Sequence, residues 1–239
     1  MKKRISSSVI LVILACFLLP HSILAQGVKG DGNVTKESRK VSDFNAIKVS
    51  SGIDLYLTQG NTVSLEIETD KNIHEYIVTE VKDGVLKIYV DGSIREVKKM
   101  SAYLTFKEID ALTASGGSDI ENTGTITLTR FKMDCSGGSD ANLNLKVDEF
   151  KCISSGGSDL NLIGDCKFLY AKTSGGSDLD AMEFKVAECE LEASGGSDAR
   201  VYVTDKLKVI ASGGSDVYYK GDVLVDASVS GSSDLHKKQ

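Results

Sequence analysis

Ser115-Gly116-Gly117-Ser118-Asp119 returns along the chain with its first serine at Ser136, Ser155, Ser174, Ser194 and Ser212. A relaxed copy, Ser230-Gly231-Ser232-Ser233-Asp234, follows. The steps are about 18 to 21 residues, and self-similarity at such a period marks a solenoid or array. Apolar residues alternate strictly around the phrase, which is strand periodicity. One residue before each copy stand Ala114, Cys135, Ser154, Thr173, Ala193, Ala211 and Val229. Three before stand Leu112, Met133, Cys152, Ala171, Leu191, Val209 and Ala227. Five before, from the second copy on, stand Phe131, Phe150, Leu169, Cys189, Leu207 and Val225. The positions between are mostly polar, as in Lys132, Lys151, Glu190 and Lys208, so each strand has one buried and one wetted face.

One repeat therefore reads as strand, Gly-Gly corner, strand and second turn. The second turn is placed near Gly124-Thr125, Gly164-Asp165, Thr204-Asp205 and Gly221-Asp222, residue types that suit tight turns. No repeat can bury its apolar face alone, so the copies must stack. The expected fold is all-β, a parallel β-helix, right-handed because parallel crossovers are. A β-propeller needs blades of roughly twice this period.

Residues 1–25 read as a secretory signal: Lys2, Lys3 and Arg4, an apolar run from Val9 to Leu19, then Ile23-Leu24-Ala25. The run is too short to span a membrane, and no later stretch could. Lipoprotein processing at Cys16 is the alternative, disfavoured because Phe17, Leu18 and Leu19 continue the apolar run. Export is expected, to the periplasm, the cell surface or the medium. Cleavage removes three cations and takes the formal net charge from -6 to about -9. That acidic balance argues against nucleic acid and against anionic membrane surfaces as partners.

Four cysteines remain: Cys135, Cys152, Cys166 and Cys189. Cys135, Cys152 and Cys189 fall on the inward parity. Cys135 and Cys152 are two residues out of register in adjacent coils, which puts their Cα atoms about 8 Å apart, beyond disulfide reach. Free core thiols are expected.

Residues 26–41 read as a loose start and residues 42–110 as an irregular β region that caps a solenoid over 111–239. Within the cap, Ser51-Gly52-Ile53-Asp54 is a phrase one glycine short of the later motif. Gln59-Gly60-Asn61 reads as a hairpin-type turn, and Asp83-Gly84 as a tight hairpin turn. Asp70 to Tyr76 reads as a helical turn capped by Asp70. Leu235-His236-Lys237-Lys238-Gln239 is polar and suits a blunted final edge.

The run Phe44-Asn45-Ala46-Ile47, then Val49 to Gly60, then the SGGSD ladder resembles the adhesins of Bacteroidota that carry the "head GIN domain". The likeness covers residues 43 to 234. It implies an exported β-helical protein of the cell envelope and carries over no catalytic or binding residue.

The constellation with chemistry is the aspartate ladder: Asp119, Asp140, Asp159, Asp178, Asp198, Asp216 and the final Asp234. Stacked coils bring these carboxylates within about 4.8 Å of one another, so something must offset their repulsion. Hydrogen bonding to the corner backbone is the preferred reading. Calcium at Asp119, Asp140, Asp159, Asp178, Asp198 and Asp216 is the alternative, because GGSD only partly matches the calcium repeat GGxGxD. A β-helical carbohydrate-active enzyme is a third reading. It is disfavoured because the ladder carboxylates are alike and the mature chain offers only His74, read as a surface residue, and His236. The expectation is a non-catalytic scaffold without cofactor that binds a glycan or protein at the cell surface. A purely structural envelope protein is the alternative.

Overall fold

The computed structural model describes residues 27–238, so the segment 1–25 read as a signal, and Cys16 within it, lie outside the described residues. The chain is an all-β parallel solenoid whose coils contribute to one 17-stranded sheet. Its regular part consists of the strands Ile126–Ser136, Ala141–Ser155, Leu160–Ser174, Leu179–Gly195 and Ala199–Gly213. Each lies parallel on the next, with equivalent residues in register: Phe131 on Phe150, Phe150 on Leu169, Leu169 on Cys189, Cys189 on Leu207.

The alternation seen in the sequence is the burial pattern. Phe131, Phe150, Leu169, Leu207, Met133, Cys152, Ala171, Leu191 and Val209 are all essentially inaccessible. Phe150 stacks on Phe131 with ring centroids 5.4 Å apart, and Phe184 meets Phe150 edge-on at 6.2 Å. At the phrase itself the chain turns a corner on two left-handed glycines, Gly116 at φ 67° and Gly117 at φ 72°. A side chain at either position would be strained.

The second turn is a bend within a continuous strand in the central coils, not a break. Strand pairing runs through it, as in Leu145 on Gly164 and Glu149 on Phe168. It is marked by consecutive residues outside the core: Asp148-Glu149, Lys167-Phe168, Ala187-Glu188 and Thr204-Asp205-Lys206. Gly164 is thus a kink ahead of the bend. Gly124 and Gly221 do lie between strands, as expected.

The N-terminal region differs from expectation in three ways. The segment read as a loose start holds strands from residue 28 on: Val28–Lys29 pairs with Ile94–Glu96, and Val34–Arg39 lies antiparallel on Ser64–Asp70. The polar sequence Val34-Thr35-Lys36-Glu37-Ser38-Arg39 hid a strand that needs only one covered face. The parallel stack also begins before residue 111. Ala46–Val49 and Asp54–Gln59 form a full coil beneath Ala111–Ser115 and Ile120–Thr123, and Val85–Val90 with Met100–Phe106 lies beneath that. The strands on either side of Gln59-Gly60-Asn61 do not pair with each other. Met100–Phe106 lies between them, parallel to one and antiparallel to the other. The Asp83-Gly84 hairpin forms as read, with φ 53° and 76°.

Lys71–Tyr76 is a 3-10 helix behind Asp70, yet the Asp70 side chain makes no capping bond. Its carboxylate instead accepts the Lys98 amide at 2.7 Å. His74 is 5% exposed rather than a surface residue. The strand Val34–Arg39 covers it, and its Nε2 meets the Thr35 hydroxyl at 3.0 Å and carbonyl at 3.1 Å.

All four described cysteines are free and buried, Cys166 included. Cys152 faces Met133 and Ala171 in the ladder, not another cysteine. Burial pushes the Cys135 and Cys166 thiols from 9.0 up to about 12, and those of Cys152 and Cys189 upward as well. Since access to the thiolate governs reactivity, native protein should react slowly with a maleimide, and unreduced denatured protein should react at all four. A mass corresponding to an intact disulfide would contradict this. The protonated thiols suit the fold, so their contribution to stability is complete below pH 9.0 and is lost as pH rises toward about 12.

Candidate binding face

Each corner is tied to its neighbours by two rows running in opposite directions. The buried serine of the phrase accepts from the coil before it. The amides of Ile53, Ser118, Ser139 and Ser158 donate to Oγ of Ser118, Ser139, Ser158 and Ser177 at 3.1, 3.1, 3.2 and 3.0 Å. The aspartate accepts from the coil after it. The amides of Asp140, Asp159, Asp178, Asp198 and Asp216 donate to Oδ1 of Asp119, Asp140, Asp159, Asp178 and Asp198 at 3.4, 2.9, 3.3, 3.0 and 3.2 Å. Six of the sequence-singled aspartates therefore do stack. Backbone amide donation to five of these carboxylates, Asp119 to Asp198, sets a hydrogen-bond donor between successive rungs.

The phrase one glycine short, Ser51-Gly52-Ile53-Asp54, is the first rung, which the ladder drawn from sequence began without. Ser50-Ser51-Gly52-Ile53-Asp54 is a complete corner, with Ser51 at φ 72° in the place of the first glycine and Ile53 in the place of the serine. Burial, then repulsion from Asp119, raises the pKa of the half-buried Asp54. Ser51 holds there a left-handed conformation that non-glycine residues adopt uncommonly.

Two outward faces flank the corner. On the strand entering it, two ion pairs and a tyrosine link neighbouring coils: Lys172 with Glu192 at 3.0 Å, Lys208 with Glu190 at 3.9 Å, and the Tyr170 hydroxyl donating to Glu192 at 3.0 Å. The strand leaving the corner presents another row, two residues after each aspartate: Tyr56, Glu121, Asn142, Asn161, Asp180, Arg200, Tyr218 and His236. Here the amides lie in line, Asn161 Nδ2 donating to Asn142 Oδ1 at 2.9 Å. Aromatic rings close both ends, Tyr56 stacked on Tyr103 at 5.0 Å and Tyr218 on His236 at 5.1 Å. This second row was not singled out from sequence, since its residue types vary from coil to coil.

Among the described residues, Asp216, Asp234 and His236 form the one group of three metal-capable side chains whose ligand atoms lie within 4.8 Å of one another. Asp119, Asp140, Asp159 and Asp178 instead stand as a file, each with one oxygen committed to a backbone amide. The double change Asp159→Asn with Asp178→Asn should therefore leave stability within about 0.5 kcal/mol of the parent, since Asn keeps the accepting oxygen. Calcium binding along the file would instead stabilise the parent by about 2.7 kcal/mol at a hundredfold excess over the dissociation constant. A calcium-dependent melt abolished in the double variant would overturn the backbone role.

A parallel solenoid with a buried serine spine, an aspartate file and a long polar face is an adhesin-like scaffold. The chain belongs to the family described as "Putative auto-transporter adhesin, head GIN domain", whose model matches residues 43–223. It is similar to the crystal structure of a "putative adhesin" from Bacteroides fragilis NCTC 9343, with a TM-score of 0.84 and 21% identity over 89% of this chain and 100% of that one. A "putative lipid binding protein" from Parabacteroides distasonis ATCC 8503 superimposes with a TM-score of 0.74 and 20% identity, over 90% of this chain and all of that one. An adhesin from Parabacteroides merdae ATCC 43184, also named with the qualifier "putative", gives 0.70 at 24% identity, over 89% of this chain and 99% of that one. At these identities the likeness concerns the fold. No match is found among curated proteins. No described helix is long and apolar enough to cross a membrane.

Proposed function

We propose that the protein is an exported, non-catalytic envelope scaffold that binds a cell-surface glycan through the row leaving the corner. The observation that carries this reading is the contrast between the two faces. Lys172, Glu190, Glu192 and Lys208 on the entering face are tied to one another in ion pairs, whereas Glu121, Asn142, Asn161, Asp180 and Arg200 form a file of hydrogen-bonding groups with tyrosines at its ends. Coils repeat such groups at about 4.8 Å, and planar polar side chains beside exposed rings suit hydroxyl-rich ligands. The family description, adhesin, supports binding rather than turnover.

The test is a glycan array probed with the mature chain, repeated with the triple variant Asn142→Ala, Asn161→Ala, Arg200→Ala. Binding that the triple variant loses is the expected result. Binding it retains would move the site elsewhere, and capture of a protein instead of a glycan would change the ligand class. Absence of any partner would favour a purely structural envelope role.

A further inference from the structure

The two ends of the solenoid are finished differently. At the N-terminal end the core is closed by antiparallel strands, Ser64–Asp70 under Val34–Arg39 and Ile77–Lys82 against Val85–Val90, with Ile73 and Ile77 buried beneath them. At the other end the last coil, Leu224–Val229 and Asp234–Lys237, pairs only with the coil before it among the described residues. Every residue of Leu224–Val229 is exposed. Val225 and Val229 are 39% and 40% exposed, while their register partners Leu207 and Ala211 are 0% and 1%. Leu224 adds a side chain 78% exposed. The coil thus offers core residues and, among the described residues, a row of backbone donors and acceptors without a partner strand, which Leu235 to Lys238 do not cover. Solenoids ordinarily close such an end with an atypical polar repeat, and an open edge is a template for another strand.

We propose that this end is an interface with a second copy of the same chain, joined tail to tail across a two-fold axis through an antiparallel pairing of Leu224–Val229 with itself. Three features select that occupant. Head-to-tail stacking is barred because the N-terminal core is already covered. The strand is self-complementary: centred on Ala227, antiparallel pairing sets Val225 against Val229 of the other copy and Ala227 against Ala227. The strand's one charged residue, Asp226, then faces Ser228, whereas a register centred on Asp226 would oppose two carboxylates and is disfavoured. Lastly, residues 216–238 carry Lys220, Lys237 and Lys238 against Asp216, Asp222, Asp226 and Asp234, a near balance in a chain of net charge -6, so two such ends meet without strong repulsion. The arrangement is isologous and closed, so it stops at two copies. The paired corners would present two ligand rows and raise avidity for a repeated surface ligand.

Sedimentation equilibrium of the mature chain over a hundredfold concentration range tests this. The expected result is a monomer–dimer equilibrium whose dissociation constant rises at least about tenfold in Val225→Asp and in Val229→Asp. Both positions are exposed in the single chain, so the dilute variants should melt as the parent does. Amide exchange supplies the second measurement: protection at 224–229 should grow with protein concentration and stay absent in the variants. A monomer at every concentration would overturn the proposal, as would protection of 224–229 independent of concentration. Protection appearing only with lipid vesicles would overturn it in favour of a lipid cover, and higher oligomers persisting in both variants would place the contact elsewhere.

Discussion

Phe150→Ala loses about 3–5 kcal/mol of stability, the range for emptying a fully buried aromatic position. The ring is 1% exposed and touches rings on two sides, Phe131 at 5.4 Å and Phe184 at 6.2 Å. A solenoid cannot collapse readily around the cavity, because each coil is held at its backbone spacing by ladders above and below. Phe150 pairs in register with Phe131 on one side and Leu169 on the other. In a chain of this size the loss lowers the melting temperature by on the order of 10 °C. Lys151→Ala is the matched control one residue away. Its ammonium lies outside, 5.0 Å from the Tyr170 ring, and its removal costs about 0.5 kcal/mol. Equal melts for the two variants would mean that the inward and outward assignment is reversed or that the coil is not packed as described.

The pair also shows how much of the fold was legible in the sequence. A period-two pattern repeated every coil specifies which residues meet in the core, because identical coils placed in register leave one choice of partner. Phe131, Phe150 and Leu169 could be stacked on paper for that reason. Residues 46–106 could not. There the chain lays down the coil at Ala46–Gln59, leaves it to build the antiparallel closure, and returns beneath it before the repeats begin. That order rests on pairings between residues far apart in the chain, which no local pattern encodes. His74 was misplaced for the same cause, since the strand that buries it pairs with residues far along the chain, Val34 with Asp70 and Arg39 with Leu65, and is polar on its face. The last coil was misread in the opposite sense. Val225, Ala227 and Val229 carry the same inward pattern as the earlier coils, but among the described residues no further coil covers them. Periodicity reports which way a side chain points, not whether a neighbour arrives. The aspartate file was legible as a stack bonded to the corner backbone, but that each donor is the amide of the next coil's aspartate was not, because backbone amides have no side-chain signature.

Gly164→Ala tests the kink inside a continuous strand, where backbone geometry rather than core volume sets the cost. The strand Leu160–Ser174 keeps its pairing through this residue, with Gly164 beside Leu145 on one coil and Phe184 on the other. It does so at φ +117°, and a Cβ there would stand 2.0 Å from the Leu145 carbonyl oxygen and 3.0 Å from its carbon. The clashing atoms are backbone atoms of a neighbouring coil, so no side-chain rotation relieves the overlap. Alanine must either hold a backbone conformation that costs about 1–3 kcal/mol or push two coils apart and break their ladder. Destabilisation of about 4 kcal/mol is expected from the combination. Gly124→Ala separates conformation from contact. Gly124 is also left-handed, at φ +74°, but lies in a turn with nothing within 4 Å of the added methyl group, so it should lose only the conformational part, about 1 kcal/mol. Urea melts of the two variants decide the matter. A Gly164→Ala loss no larger than that of Gly124→Ala would show that the coils yield at the kink, and that the close approach of Leu145 to Gly164 does not constrain the bend.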